Sequence, residues 1–307
     1  MPEVRSCPIA ALRLPDNLPE CLSQPSAEAV KTAARYGQIM PILARPEPGG
    51  DLLALGGLAH FIALKAAGVG ALLCRIAPDD MDAERLFGLR ILSDRELFEK
   101  SPIAQAWMAQ EMRAALDAAA LNALLPRLGL KPHQAEERVA LLRLPSPTQA
   151  ALHEGVLAAK NAALLRRLPA ADQTALVELV RRYALGGSKQ RQLLELALEL
   201  RLREETDVAT RLAAWRSSAP PTDNAPQEAG HLLHWLEARA HPTLNAAEAR
   251  FQEAARNLRL PQGWSLTHTQ SFEDDGVALH VNFADWAALE RGLPELLRMA
   301  ETGNRDR

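Results

Sequence analysis

Lys131, His133, Gln134, Arg138 and Arg143 place five phosphate- or base-seeking side chains within one short stretch of the chain. Such chemistry needs a rigid carrier, and the surrounding residues outline one, because Leu121 to Pro145 reads as helix, tight turn, helix, stop. Gly129 can take the left-handed conformation the turn requires, and Pro132 suits the first position of the second helix, where its missing N–H has no bond to lose. Val139, Leu142 and Ala135 share one face of that second helix, which leaves the polar side chains facing outward. Cations and amides carried this way can reach phosphates and base edges in a major groove. A bare pair of helices shows similar spacing, however. Glu136 and Glu137 fall on the same second helix, where phosphates repel them. Pro126 interrupts the first helix at a cost of ~3 kcal/mol unless that helix ends or bends there.

Other chemistries find less support. Asp79, Asp80, Asp82 and Glu84 offer Mg²⁺-type ligands, but so dense a run reads as a solvated turn. His231 and His234 lie three apart on a predicted helix with His241 nearby, and a third ligand at convincing spacing is missing. No Ser-His-Asp order, P-loop or Gly-x-Gly-x-x-Gly run is present, so neither a catalytic residue nor a metal site is expected. Cys7, Cys21 and Cys74 are odd in number and widely spaced, which argues against a disulfide framework or a zinc site and favours a reducing, cytoplasmic location. The first residues lack a basic stretch followed by an apolar run, and no uncharged apolar segment of ~18 residues occurs, so neither export nor a membrane partner is expected.

The net charge of −3 conceals a division along the chain. Residues 1–112 hold 11 Lys+Arg against 14 Asp+Glu, residues 113–203 hold 14 against 8, and residues 204–307 hold 10 against 16. Only the middle block, which contains the corner, has the sign that phosphate binding favours.

The elements that must position these residues follow from periodicity. At 307 residues the chain exceeds the size at which one core stops growing, so several domains are expected. Pro41 to Pro46 and Asp51 to Leu55 flank Pro48-Gly49-Gly50 and predict a β-hairpin. Leu58 to Ala67 predicts a helix ending at Gly68, and Ala71 to Ile76 a strand. From Ala83 to Leu202 the pattern is helical, with breaks at Ser101-Pro102, Gly129, Pro145-Ser146-Pro147, Pro169 and Gly186-Gly187. Ser217 to Pro226 reads as a linker. Beyond it come helices over His231 to Ala240 and Ala246 to Leu258, strands over Trp264 to Phe272 and Val277 to Phe283 around Asp274-Asp275-Gly276, and a last helix over Asp285 to Met299. The sequence therefore predicts an α+β, multi-domain, predominantly helical protein. It comprises a small mixed α/β domain over 1–100, an all-α helix-turn-helix bundle over 101–205, a linker over 206–228 and a small C-terminal ββα-type domain over 229–307.

In their order, these segments resemble the ParB family of chromosome and plasmid partition proteins. Leu124 to Pro145, Leu152 to Leu157, Leu164 to Pro169 and Gly187 to Leu194 follow that family's central helical domain. Tyr36 to Pro46 resembles the stretch that opens its N-terminal domain, Gly56 to Gly68 stands at its Gly-Glu-Arg-Arg box, and Ser93 to Ala106 at its third box. The resemblance implies sequence-specific duplex DNA binding by a dimer, in partition, nucleoid organisation or regulation. Lys189 and Arg191 would then join Lys131, His133, Gln134, Arg138 and Arg143 in the DNA contact. It also implies dimerisation through the C-terminal domain, association with the nucleoid and a partition ATPase as a possible partner. In that family the N-terminal domain binds CTP and closes as a clamp, which would make Gln38, Gly56, Gly57, His60 and Arg95 the nucleotide-binding residues here. This chain carries Gly57, Leu58 and Ala59 where the box supplies a glutamate and two arginines. The arginine fork suited to bidentate phosphate capture is thus missing, and CTP is the sole cofactor suggested. An adaptor that keeps the fold, binds proteins and has lost both nucleotide and DNA recognition is the alternative of a different class, and a CTP-dependent DNA clamp with altered nucleotide contacts is a further one.

Overall fold

A computed structural model describes residues 3–204, 206–218, 224–258, 260, 263–269, 276–287 and 289–294. By internal contact the chain divides into two units, Met1–Leu233 and His234–Arg307.

The first unit opens on a mixed sheet. Its elements are β1 (Glu3–Pro8), β2 (Leu12–Arg13), α1 (Ala27–Tyr36), β3 (Ile42–Pro46), β4 (Leu52–Gly56), α2 (Leu58–Ala66) and β5 (Ala71–Ile76). The strand order is β1-β5-β3-β4-β2. β1–β5 and β3–β4 pair antiparallel, and β5–β3 and β2–β4 pair parallel. The hairpin at Pro48-Gly49-Gly50 forms as the sequence predicts, with both glycines at positive φ. Burial of Leu58, Phe61 and Leu64 anchors α2. α1, which the periodicity did not single out, is a polar helix with only Ala33 buried, and its start is fixed by the Ser26 hydroxyl, which accepts the Ala29 N–H at 3.1 Å.

Further helices follow in chain order: α3 (Ala83–Ser93), α4 (Arg95–Lys100), α5 (Pro102–Ala115), α6 (Ala118–Leu124), α7 (Ala135–Val139), α8 (Ser146–His153), α9 (Ala162–Leu165), α10 (Ala170–Arg182), α11 (Gly187–Glu204), α12 (Val208–Ser218), α13 (Ala225–Ala240) and α14 (Pro242–Asn257). α3 covers one part of the sheet, where Leu43, Leu55, Ala77 and Leu86 form a buried cluster. α5 is the pillar of the helical region. Ile103, Ala104, Ala106, Trp107, Met108, Ala109 and Met112 are all fully buried in it, as a helix surrounded by neighbours requires. The Ser101-Pro102 break is a helix start, with the Ser101 hydroxyl accepting the Ala104 N–H at 3.1 Å.

The division by contact differs from the one read from composition. Residues 1–100 and 101–205 lie in one unit. The stretch 206–228 is largely helical, holding α12 and the first turn of α13, because Val208, Leu212 and Trp215 repeat at helical spacing and are buried. Only 219–223 of that stretch lie outside the described residues.

The second unit contains the rest of α13, α14 and an antiparallel pair, β6 (Trp264–His268) and β7 (Val277–Val281), with Trp264 opposite Val281 and His268 opposite Val277. His268 ties β6 to α14, its Nε2 lying 2.7 Å from a Glu248 carboxylate oxygen and its ring centroid 4.4 Å from that of Phe251. Residues 286–287 and 289–294 are helical, whereas 295–299 of the predicted last helix and Asp274-Asp275 of the turn lie outside the described residues. Among the described residues no helix is long and apolar enough to cross a membrane.

Candidate nucleic-acid interface

The corner at 121–145 is assembled against α5. Asp117 caps α6 by accepting the Ala120 N–H at 2.8 Å, and α6 ends at Leu124, before Pro126. The chain then tightens into a 3₁₀ turn over Leu125–Leu128, so the proline costs no helical hydrogen bond. Leu124, Leu125, Leu128 and Leu130 are buried. Gly129 takes φ +73, with its N–H on the Pro126 carbonyl at 3.0 Å, and Gln105 of α5 donates to the Leu128 carbonyl at 3.0 Å. The second helix is a composite run: a 3₁₀ turn at Pro132–Gln134, then α7, then a second 3₁₀ turn at Ala140–Arg143. Tighter winding at both ends rotates its buried face to Ala135 and Leu141, and leaves Val139 and Leu142 half-buried.

Lys131, His133 and Arg143 are exposed, and among the described residues none of them forms an ion pair. Gln134 is exposed too, but its carbonyl oxygen folds back to accept the Lys131 N–H at 3.1 Å. Arg138, expected outward, is half-buried, and that burial pushes its guanidinium below the usual range, opposed by the charge of Glu137. The two glutamates part company. Glu136 lies 3.4 Å from the Arg113 guanidinium of α5, whereas Glu137 makes no ion pair among the described residues.

Glu137 and Arg138 line a groove of about 240 Å³ with Lys160 and Arg166, over an apolar floor that includes Leu141 and Ala162. The sequence reading passed over Lys160 and Arg166. A buried amide network fixes the loop that carries Lys160. Gln190 of α11 donates to the carbonyls of Val156 at 2.8 Å and Leu185 at 2.7 Å, and accepts the Ala158 N–H at 3.0 Å and the Asn161 amide at 3.3 Å. Asn161 also donates to the Gly187 carbonyl at 3.2 Å. A side chain at Gly187 would meet the Lys160 ammonium at 3.8 Å, so Lys160 lies over the first turn of α11. Lys189 in that turn is exposed and unpaired among the described residues, while Arg191 is paired to Glu195 at 2.8 Å.

The five residues named for nucleotide binding are engaged elsewhere. The Gln38 amide clasps β5, donating to the Leu73 carbonyl and accepting the Leu73 N–H, both at 2.7 Å. His60 accepts the Ile39 N–H on Nε2 at 3.1 Å, and burial lowers its pKa. Arg95 pairs with Glu99 at 2.7 Å on the surface. Gly56 serves close packing, since a Cβ there would lie 2.9 Å from the Ser93 Cβ. Gly57 takes φ +73 and donates its N–H to the Asp94 carboxylate at 2.7 Å. The N–H groups of Leu58 and Ala59 also favour the charged form of Asp94, which is buried. The start of α2 is thus capped by a carboxyl group of this chain, supplied by the α3–α4 junction. Beside it, the buried Arg90 donates to the Leu55 carbonyl at 3.1 Å, stacks over Phe87 and Trp107, and lies 3.9 Å from Glu111. Asp82, from the acidic run considered for Mg²⁺, caps α3 by accepting the Arg85 N–H at 2.8 Å.

These features define a predominantly helical chain with a small mixed sheet and an exposed basic corner. Among solved structures it is similar to the C-terminally truncated chromosome-partitioning protein ParB from Caulobacter crescentus in two complexes. With that protein complexed to the centromeric parS site, the TM-score is 0.33 at 19% identity, over 62% of this chain and 98% of that one. With that protein complexed with CTP-gamma-S, it is 0.25 at 19% identity, over 58% and 99%. No family model and no curated protein matches the chain. Likeness at this level leaves the chemistry to be read from the corner itself.

Proposed function

We propose that this chain is a ParB-like duplex DNA-binding protein, whose corner at 121–145 acts as a helix-turn-helix and whose adjoining groove holds the backbone. The observation that carries the reading is the state of the charges. Lys131, His133 and Arg143 project from the corner unpaired among the described residues, and one of its two carboxylates is neutralised by Arg113. Exposed lysine and arginine side chains of this kind displace condensed counterions from phosphates most readily. Arg138, Lys160, Arg166 and Lys189 extend the contact, and Arg191 joins it by exchanging Glu195 for a phosphate. Dimerisation through residues 229–307 would present two corners to an inverted repeat, with half-sites spaced by whole helical turns. Partition, nucleoid organisation or regulation would follow from such binding. Nucleotide capture of the family's kind is not included, because Asp94 fills the start of α2 and Gln38 and His60 are engaged within the chain. The adaptor reading draws on one observation, that Glu137 on the second helix makes no ion pair among the described residues.

Selection of bound duplexes from a random pool, with and without CTP, tests the proposal. An enriched inverted repeat, the same in both arms, is expected. A pool that emerges unenriched at micromolar protein contradicts DNA recognition, and enrichment only with CTP contradicts the nucleotide-free form of it.

A further inference from the structure

Among the described residues, Glu137 is the one carboxylate lining a groove that also presents Arg138, Lys160 and Arg166. If phosphate attraction alone set the groove's chemistry, a carboxylate there would be a defect. It repels each phosphate that the three cations draw in, by ~1 kcal/mol at contact distance in water. Two structural roles could excuse it, and neither occupies the carboxylate. The charge of Glu137 opposes the burial that lowers the Arg138 pKa, but adjacent residues on a helix do not face each other and, among the described residues, no ion pair joins the two. Nor is it tied to the body of the protein as Glu136 is through Arg113 at 3.4 Å. Among the described residues Glu137 makes no hydrogen bond or ion pair, and it is exposed.

A charged carboxylate only accepts hydrogen bonds. On the major-groove edge of a base pair it can accept from cytosine N4 or adenine N6, and it is repelled by guanine O6 and N7 and by thymine O4. We propose that Glu137 is a specificity-determining residue of the corner, accepting a hydrogen bond from the exocyclic amino group of one cytosine or adenine while Arg138, Lys160 and Arg166 hold the adjoining phosphates. This deepens the DNA-binding reading and rests on it. The repulsion that weakens general binding then serves discrimination, because wrong bases lose more than the right one.

The test uses the full chain and its Glu137→Gln and Glu137→Ala variants in parallel selections, followed by anisotropy titrations of the winning duplex and its single-base variants. For the unaltered chain, one position in each half-site is expected to prefer cytosine or adenine by roughly tenfold. In Glu137→Ala that preference falls below about twofold, the other positions keep theirs, and affinity for unrelated duplex rises. Glu137→Gln is expected to move the preference toward adenine, which an amide can hold through N6 and N7 together. The proposal is overturned if the alanine variant selects the same site with the same preferences, or if the chain binds duplexes without preference at any position. If none of the three proteins enriches any duplex, the DNA-binding reading fails with it, a result distinct from the first two.

Discussion

Asp94 sits with its carboxylate against the first N–H groups of α2, and burial outweighs those donors and Arg90 to push its pKa up to about 6. Because the folded value lies above the unfolded one, the fold favours the protonated form. The stability this group contributes is fully present below its ordinary value near about 4 and is lost as pH rises through about 6. A displacement of that size corresponds to on the order of 3 kcal/mol. Asp94→Asn keeps an acceptor oxygen at the cap and cannot ionise, so its stability curve from pH 4 to pH 7 is expected to be flatter than that of the unaltered chain. Urea denaturation across that range reads the difference. At the corner, Arg113 acts on DNA only through Glu136. Arg113→Ala should weaken duplex binding a few-fold at low salt while changing stability by less than about 1 kcal/mol, since both partners are exposed. The exposure of Lys131 and His133 was legible from residue type and helical phase. The engagement of Gln134, His60 and Gln38 was not, because each bonds to backbone that the fold alone brings near.

At the scale of elements, the corner depends on one glycine and one glutamine. Gly129 has room for a methyl group, the nearest neighbour being Gln105 Nε2 at 3.8 Å, so only its φ of +73 resists a side chain. Gly129→Ala is expected to cost about 1 kcal/mol and to lower the unfolding midpoint by a few degrees, without changing which duplex is bound. Gln190 holds the Lys160 loop through three hydrogen bonds, to Val156, Ala158 and Asn161. Gln190→Leu should cost on the order of 2–4 kcal/mol and weaken DNA binding about as much as Lys160→Ala does, because the loop no longer presents the ammonium. Binding that survives Gln190→Leu while Lys160→Ala abolishes it would show that the network does not position Lys160. Strong periodicity made the β3–β4 hairpin, α2, β5 and the run of helices legible. β1 and α1 were missed because each buries a single side chain, Cys7 and Ala33, and few large apolar residues mark them. α12 was hidden by the proline-rich residues that follow it.

At the scale of the molecule, charge is partitioned: the block 113–203, with 14 Lys+Arg against 8 Asp+Glu, is flanked by acidic blocks. That partition was readable before any coordinates, and so was the order of sheet, helices and hairpin. The convergence of Lys160 and Arg166 with Arg138 was not, because the α8–α9 loop brings distant positions together. The same scale governs the nucleotide question. Isothermal titration of the full chain with CTP is expected to give no binding heat, and a saturable heat lost in Gln38→Ala would restore the clamp reading. The central claim is that several cations of the corner and groove contact phosphates together, and the most direct measurement is duplex affinity as a function of salt, for the unaltered chain and for Lys131→Ala and Lys160→Ala. The expected result is a linear log–log plot with a slope of about −4 or steeper, made shallower by roughly 1 in each variant. A slope near zero, or one that neither substitution changes, would contradict it.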